Sequence, residues 1–109
     1  MQLNRHFAEH GEEFAAKDAR DYENMADRFL TEPRPSSVQE CIRKKGDILR
    51  FDTLTGAFGV LDRRNVIRTF FKPVPCASLP PPQRALARQL GRCHRHSTNL
   101  LYFQAECKQ

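Results

Sequence analysis

Apolar positions in the first third of the chain recur three and four residues apart, the spacing of one helix face. This pattern predicts a helix over Leu3–His10, and Gly11 follows as its C-terminal stop. Asp18 suits the N-cap of a second helix, over about Ala19–Leu30. The cluster of proline and serine at residues 33–37 then ends the helical part.

The pattern changes to short apolar segments separated by turn residues after position 37. Four segments have strand character: Val38–Lys44, Ile48–Phe51, Ala57–Leu61 and Val66–Phe71. Consecutive strands joined by tight turns pair antiparallel, and Pro73 ends the last strand because it cannot donate a ladder hydrogen bond. These segments therefore predict a four-stranded antiparallel meander.

The C-terminal third predicts a helical appendage. A proline-rich link at residues 74–82 precedes a helix over Gln83–Leu90, a basic loop over Arg92–Ser97 and a short helix over Thr98–Cys107. The expected fold class is α+β, with N-terminal helices packed on a four-stranded antiparallel sheet and a C-terminal helical appendage. We assign residues 1–73 to the α+β domain and residues 74–109 to a link and tail packed on it.

Charge is unevenly distributed along the chain. The net charge is +5, although the first 39 residues carry five Lys and Arg against eight Asp and Glu. The sheet and the tail are therefore basic, as expected for a partner rich in phosphate, and a solvated basic surface is the simpler explanation. No apolar run is long enough to predict a membrane span, and no secretory signal pattern begins the chain.

Several side chains have the chemistry of RNA cleavage without a metal, which needs a proton acceptor, a proton donor and groups that stabilise phosphate charge. The candidates for these catalytic roles are His6, His10, Arg50, Arg68 and Thr69. Additional candidates for RNA binding are Arg43, Lys45 and Lys72. Each residue alone also has an ordinary role, as a surface histidine, a strand-forming threonine or a solvated cation.

Three motifs follow one another in order along the chain. They are HF-x-x-HG-x-x-F at residues 6–14, R-x-D-x-x-T-x-x-FGV at residues 50–60, and IRTFFKP at residues 67–73, with the Tyr22 helix between the first two. This ordered set resembles the barnase/EndoU/colicin/RelE-like ribonuclease domains of bacterial polymorphic and contact-dependent inhibition toxins. The colicin D-like members of that group cut tRNA.

The resemblance implies metal-independent cleavage of RNA to a 2′,3′-cyclic phosphate and a cognate immunity protein, which we expect to be acidic. It also implies a helical histidine, for which we favour His6 with His10 as the second candidate, sheet arginines, here Arg50 and Arg68, and a hydroxyl near the last strand, here Thr69. Lys72 is a further phosphate contact. The implied site of action is the bacterial cytoplasm, with export as part of a larger toxin. We expect a monomer.

The sequence does not determine whether the cysteines bind a metal, form disulfides or remain free thiols. Their spacing matches neither a dense disulfide framework nor a paired zinc ribbon. We favour no cofactor, with a structural zinc on Cys76, Cys93, His96 and Cys107 as one alternative. A disulfide among the three tail cysteines is another, and free or partly buried thiols are the remaining expectation.

Two functions other than a nuclease also fit the sequence. One is a non-catalytic RNA- or DNA-binding module built on the same basic surface. The other is a protein-interaction domain whose basic face meets an acidic partner. Binding without product formation separates the first from a ribonuclease.

Overall fold

The computed structural model describes residues 1–109 and has the expected α+β architecture. The helices are α1 (Leu3–His10), α2 (Ala19–Thr31), α3 (Pro81–Gln89) and α4 (Asn99–Cys107), with short 3₁₀ turns at Gly11–Phe14 and Cys76–Ser78. The strands are β1 (Val38–Ile42), β2 (Ile48–Asp52), β3 (Phe58–Leu61) and β4 (Ile67–Phe71). All three neighbouring pairs are antiparallel, in the order β1-β2-β3-β4, so the predicted meander is confirmed.

The element boundaries differ from the expectations for local reasons. β1 ends at Ile42 because Arg43 already begins the turn, in which the N–H of Gly46 donates to the Arg43 carbonyl (2.9 Å) and Gly46 has a φ of +97°. Helix α3 begins at Pro81, two residues earlier than expected, because proline is well suited to the first turn of a helix. The proline-rich link is therefore partly helical.

The N-terminal helices cover one face of the sheet. Tyr22, Ala26 and Phe70 are buried together there, and the Tyr22 hydroxyl donates to the backbone carbonyl of Phe70. Gly59 pairs with Phe70 in the β3–β4 ladder, and a Cβ at Gly59 would lie 3.1 Å from the Leu30 side chain. Helix α2 therefore packs directly on the backbone of β3, a contact that only glycine leaves room for.

Helix α4 covers the opposite face of the sheet. Phe103 of α4 is 3% exposed and packs with a buried set from the central strands, Leu49, Phe51, Phe58 and Val60. The predicted appendage is thus the third layer of the fold and completes the core. None of the four helices is long and apolar enough to cross a membrane.

Two disulfides hold the C-terminal segment in place. Cys41 of β1 is bonded to Cys107 at the end of α4. Cys76 is bonded to Cys93, which closes the segment that contains α3. No cysteine is free, so the expectation of free or partly buried thiols is wrong. The expected tail disulfide exists as Cys76–Cys93, whereas Cys107 pairs with Cys41, which the sequence analysis had not considered.

The weak zinc alternative loses its sulfur ligands in this oxidised form. A zinc-binding cysteine is a thiolate, and Cys76, Cys93 and Cys107 are all in disulfides. His96 lies in the loop that contains Cys93. Its ring centroid is 5.8 Å from that of His94 and 6.2 Å from that of Tyr102. No three His, Cys, Asp or Glu side chains are grouped so as to hold a metal ion.

Candidate active site

A cavity of about 690 Å³ lies beside the C-terminal end of β4, which is an edge strand. One wall is the end of α1 with the following 3₁₀ turn, and the other is the segment from residue 90 to residue 94 together with α4. The chemically capable side chains that line it are Glu9, His10, Glu13, Thr69, Lys72, Arg92, His94 and Tyr102. The chain thus brings two histidines, 84 positions apart, into one cavity.

His10 is held by a carboxylate on the N-terminal wall. Its Nδ1 lies 2.7 Å from one oxygen of Glu13, and its Nε2 lies 3.7 Å from a carboxylate oxygen of Glu9. The other oxygen of Glu13 accepts the backbone N–H of Lys72 at 2.6 Å, which ties this wall to β4. The His10 ring also packs against Phe71, with the centroids 5.3 Å apart. A carboxylate that orients an imidazole in this way is typical of proton-transfer sites.

His94 is held by the C-terminal wall. Its Nε2 lies 2.8 Å from Oδ1 of Asn99, and its ring stacks on Tyr102 with the centroids 4.6 Å apart. Because Asn99 Oδ1 is an acceptor, Nε2 carries the proton and Nδ1 has the lone pair. Nδ1 is buried and has no hydrogen-bond partner, which is uncommon for a buried polar atom. His94 therefore has an unused acceptor beside the cavity.

The backbone around His94 is also fixed. The N–H of His94 donates to the carbonyl of Val74 (2.9 Å), and the N–H of Cys76 donates to the carbonyl of His94 (2.8 Å). The Cys76–Cys93 disulfide lies directly beside these bonds. The position of the His94 ring therefore depends on covalent and backbone contacts far from α1.

Groups suited to a phosphate line the same cavity as the two histidines. The Lys72 ammonium lies 5.3 Å from the centre of the Phe14 ring, an arrangement in which a cation is attracted to the ring face. Thr69 pairs with Val60 in the sheet and lines the cavity with Phe71. Burial, and then the nearby Glu106 carboxylate, raises the pKa of Tyr102 to about 12, so its hydroxyl stays protonated at neutral pH.

Two predicted catalytic residues, His6 and Arg50, lie outside the cavity, on the side of the sheet that α1 and α2 cover. His6 shares a face of α1 with His10, with the ring centroids 6.0 Å apart, but does not line the cavity. Arg50 donates to Glu40 (2.7 Å) and to the carbonyls of Phe29 (3.1 Å) and Glu32 (2.6 Å). Its guanidinium thus caps the end of α2 and links it to β1.

The remaining predicted cations gather at the other end of β4. Arg68 and Lys45 line a second, shallow pocket of about 310 Å³, together with Asp47, Asp62, Arg63 and Arg64. Arg43 lies close by with its Nε 3.7 Å from Oδ2 of Asp47, and that nitrogen is buried without a hydrogen bond. Of the predicted site residues, the structure therefore brings together only His10, Thr69 and Lys72 in the main cavity.

The sequence analysis missed five chemically capable cavity residues, Glu9, Glu13, Arg92, His94 and Tyr102. A signal for His94 was present, since the loop containing Cys93, His94 and His96 stood out in the sequence. That loop suggested a metal because histidine beside cysteine has metal-ligand spacing. Its connection to α1 depends on tertiary packing and on the disulfides, and neither can be read from local spacing.

Two comparisons with known proteins find no match for this chain. No protein-family model matches it, and no curated protein matches it either. The functional argument therefore depends on the cavity and on the ordered motifs of the sequence.

Proposed function

We propose that this protein is a toxin-type endoribonuclease that cleaves RNA without a metal, by attack of the ribose 2′-hydroxyl. The observation that supports this most strongly is the meeting of His10 and His94 in one cavity with Lys72 and Thr69. Paired imidazoles beside an ammonium group are the chemistry that this reaction needs. The α+β fold agrees with the one implied by the sequence motifs.

The two histidines have environments that suit opposite roles. We assign His94 as the proton acceptor through Nδ1, which has no partner within the protein and must become exposed to the 2′-hydroxyl for this step, because it is shielded from solvent here. We assign His10, whose ring nitrogens lie 2.7 Å from Glu13 and 3.7 Å from Glu9, as the proton donor. As the 2′-oxygen bonds to phosphorus, the bond from phosphorus to the 5′-oxygen breaks, and His10 protonates the leaving oxygen. The products are a 2′,3′-cyclic phosphate and a free 5′-hydroxyl.

The charge that builds on the phosphate oxygens needs donors and cations. Lys72 and Arg92 both line the cavity and supply cations for this purpose. Tyr102 and Thr69 carry hydroxyl groups that can donate hydrogen bonds to these oxygens. We assign these four residues to phosphate binding, in place of Arg50, whose Nε and Nη1 make three hydrogen bonds elsewhere.

The wider setting follows from the same proposal. tRNA is the preferred substrate, the bacterial cytoplasm is the site of action, and an acidic immunity protein is the partner that protects the producing cell. Disulfides form and persist in oxidising compartments, so the Cys41–Cys107 and Cys76–Cys93 bonds support passage through such a compartment, as an exported toxin would require.

A nucleic-acid-binding module without catalysis is the second candidate. The exposed and unpaired arginines of the second pocket support it, because they bind phosphate without any need for the histidines. Salt-sensitive binding of RNA that remains intact would select this candidate.

The experiment is incubation of the oxidised protein with total tRNA in the presence of a chelator, followed by analysis of the product ends. We expect fragments that end in a 2′,3′-cyclic phosphate. RNA that remains intact both with the chelator and with added divalent metal would contradict the proposal.

A further inference from the structure

The turn end of the sheet carries a compact group of cations that the proposed chemistry does not use. The β1–β2 turn contributes Lys45, and the β3–β4 turn with the start of β4 contributes Arg63, Arg64 and Arg68. The two turns are in contact, since a Cβ at Gly46 would lie 3.1 Å from the Cβ of Arg63. We call these four residues the turn cluster.

The arginines of the turn cluster have no partners within the protein. Arg63, Arg64 and Arg68 are exposed, and none of their side chains makes a hydrogen bond or an ion pair. Arg50, by contrast, uses its guanidinium for three hydrogen bonds. Exposed guanidinium groups without partners are available for a ligand.

The carboxylates in the same pocket are already engaged. Asp47 lies 3.7 Å from Arg43 and 3.5 Å from Lys45. Asp62 accepts the backbone N–H groups of Val66 (3.0 Å) and Arg64 (2.8 Å), so its charge shapes the turn. Four cations face two carboxylates, and the pocket keeps a positive excess. Such an excess on a shallow, all-polar surface suits phosphate groups.

The turn cluster lies at a defined distance from the cavity. Arg68 is the second residue of β4 and Lys72 follows its last residue, four positions apart, which corresponds to about 13 Å along a strand. The register shift opposite Val60 and Leu61 leaves Arg68 as the extra residue of a β-bulge, so the strict alternation of side chains does not extend from Lys72 to Arg68. A stacked single strand advances about 3.4 Å per nucleotide, so about four nucleotides cover this distance.

We propose that the turn cluster is a second phosphate-binding site, which holds the backbone of single-stranded RNA about four nucleotides from the bond that is cleaved. The identity of the bound chain as RNA rests on the proposed function, whereas the affinity for phosphate does not. The cluster would give affinity without base recognition, since it contacts phosphates alone.

The test uses a probe that cannot be cleaved, a single-stranded DNA of about ten nucleotides, which is long enough to cover both ends of β4. Binding is measured over a range of salt concentrations for wild type and for the triple variant R63A/R64A/R68A. The matched control K17A/R20A/R28A removes three exposed cations outside the cluster. Each lost phosphate contact lowers the salt slope by about 0.7, so the cluster variant should lose about 2 in slope and bind about tenfold to a hundredfold more weakly.

Two results would overturn the inference. Equal losses in both triple variants would mean diffuse attraction only, and no loss in the cluster variant would mean that the arginines do not touch the probe. A second readout separates this inference from the proposed function. With RNA substrates, the cluster variant should have a raised KM for a chain of ten nucleotides and an unchanged rate for a dinucleotide. If wild type cleaves no RNA of any length and the cluster variant still has a reduced salt slope for DNA binding, the phosphate-binding site is supported and the proposed nuclease activity is rejected.

Discussion

The two walls of the main cavity are built in different ways. On the N-terminal wall, His10 and Glu13 are three residues apart, and the contact between them forms within one local segment. On the C-terminal wall, His94 depends on a disulfide, on backbone bonds to residues 74 and 76, and on stacking against Tyr102. One half of a site can therefore be intrinsic to a short sequence, while the other half exists only in the completed, oxidised fold.

The largest expected effect on stability comes from removing the disulfide that joins α4 to β1. We expect Cys41→Ser with Cys107→Ser to lower the free energy of unfolding by about 4 kcal/mol, because the bond closes a loop with a sequence separation of 66. Urea unfolding of the oxidised variant and of wild type measures the effect. Unchanged stability would show that α4 is held by packing alone.

Truncation of Phe103 tests the packing contribution separately. Phe103→Ala leaves both disulfides intact and opens a cavity between α4 and the sheet, so we expect a loss of about 3 kcal/mol. Leu101→Ala is the control in the same helix, since Leu101 is 46% exposed and its truncation should cost much less. Similar losses for the two variants would contradict the assignment of α4 as a core layer.

The Cys76–Cys93 disulfide is the direct test of the C-terminal wall as part of the site. Cys76→Ser with Cys93→Ser removes a constraint worth about 3 kcal/mol of unfolding free energy. At temperatures below the unfolding midpoint of the variant, we expect the rate of cleavage to fall at least tenfold because His94 loses its position. Dinucleotide cleavage and circular dichroism, measured together, separate a misplaced histidine from global unfolding. Full activity in a folded variant would mean that the disulfide does not position His94.

On the N-terminal wall, Glu13→Gln should have a smaller effect. The amide keeps an acceptor for the Lys72 N–H but no longer carries the charge beside His10, so we expect cleavage to fall about tenfold, equivalent to about 1.4 kcal/mol. Glu12→Gln is the control, because Glu12 is exposed and makes no such contact. The effect should be the same under reducing and oxidising conditions, in contrast to the Cys76–Cys93 variant.

The smallest expected effect concerns pH and His6. Burial, and then the neighbouring His10, lowers the pKa of His6 in the folded protein below its usual 6.5. The unfolded chain therefore binds more protons, and stability falls as the pH drops below about 6.5. His6→Gln should flatten this part of the curve of unfolding free energy against pH. An unchanged curve would show that His6 does not contribute to the acid sensitivity.

Sequence patterns predicted the fold well and the site only in part. Helix α1, the N-cap Asp18 and the four strands are local features, and periodicity and turn residues specify them. The cavity depends on contacts between distant segments, and its second histidine, His94, was not among the predicted site residues. Arg50 shows the same limit, because a strand arginine bound to a helix end looks identical in sequence to one that faces a substrate.

The central claim is that His10 and His94 act together in one cavity. The most direct measurement is the cleavage rate of a dinucleotide by four single variants, with folding checked for each: His10→Ala, His94→Ala, His6→Ala and His96→Ala. We predict a loss of about a hundredfold or more for the first two and rates within a few-fold of wild type for the others, since only His10 and His94 line the cavity. Full activity in His94→Ala, or a loss in His6→Ala as large as in His10→Ala, would contradict the claim.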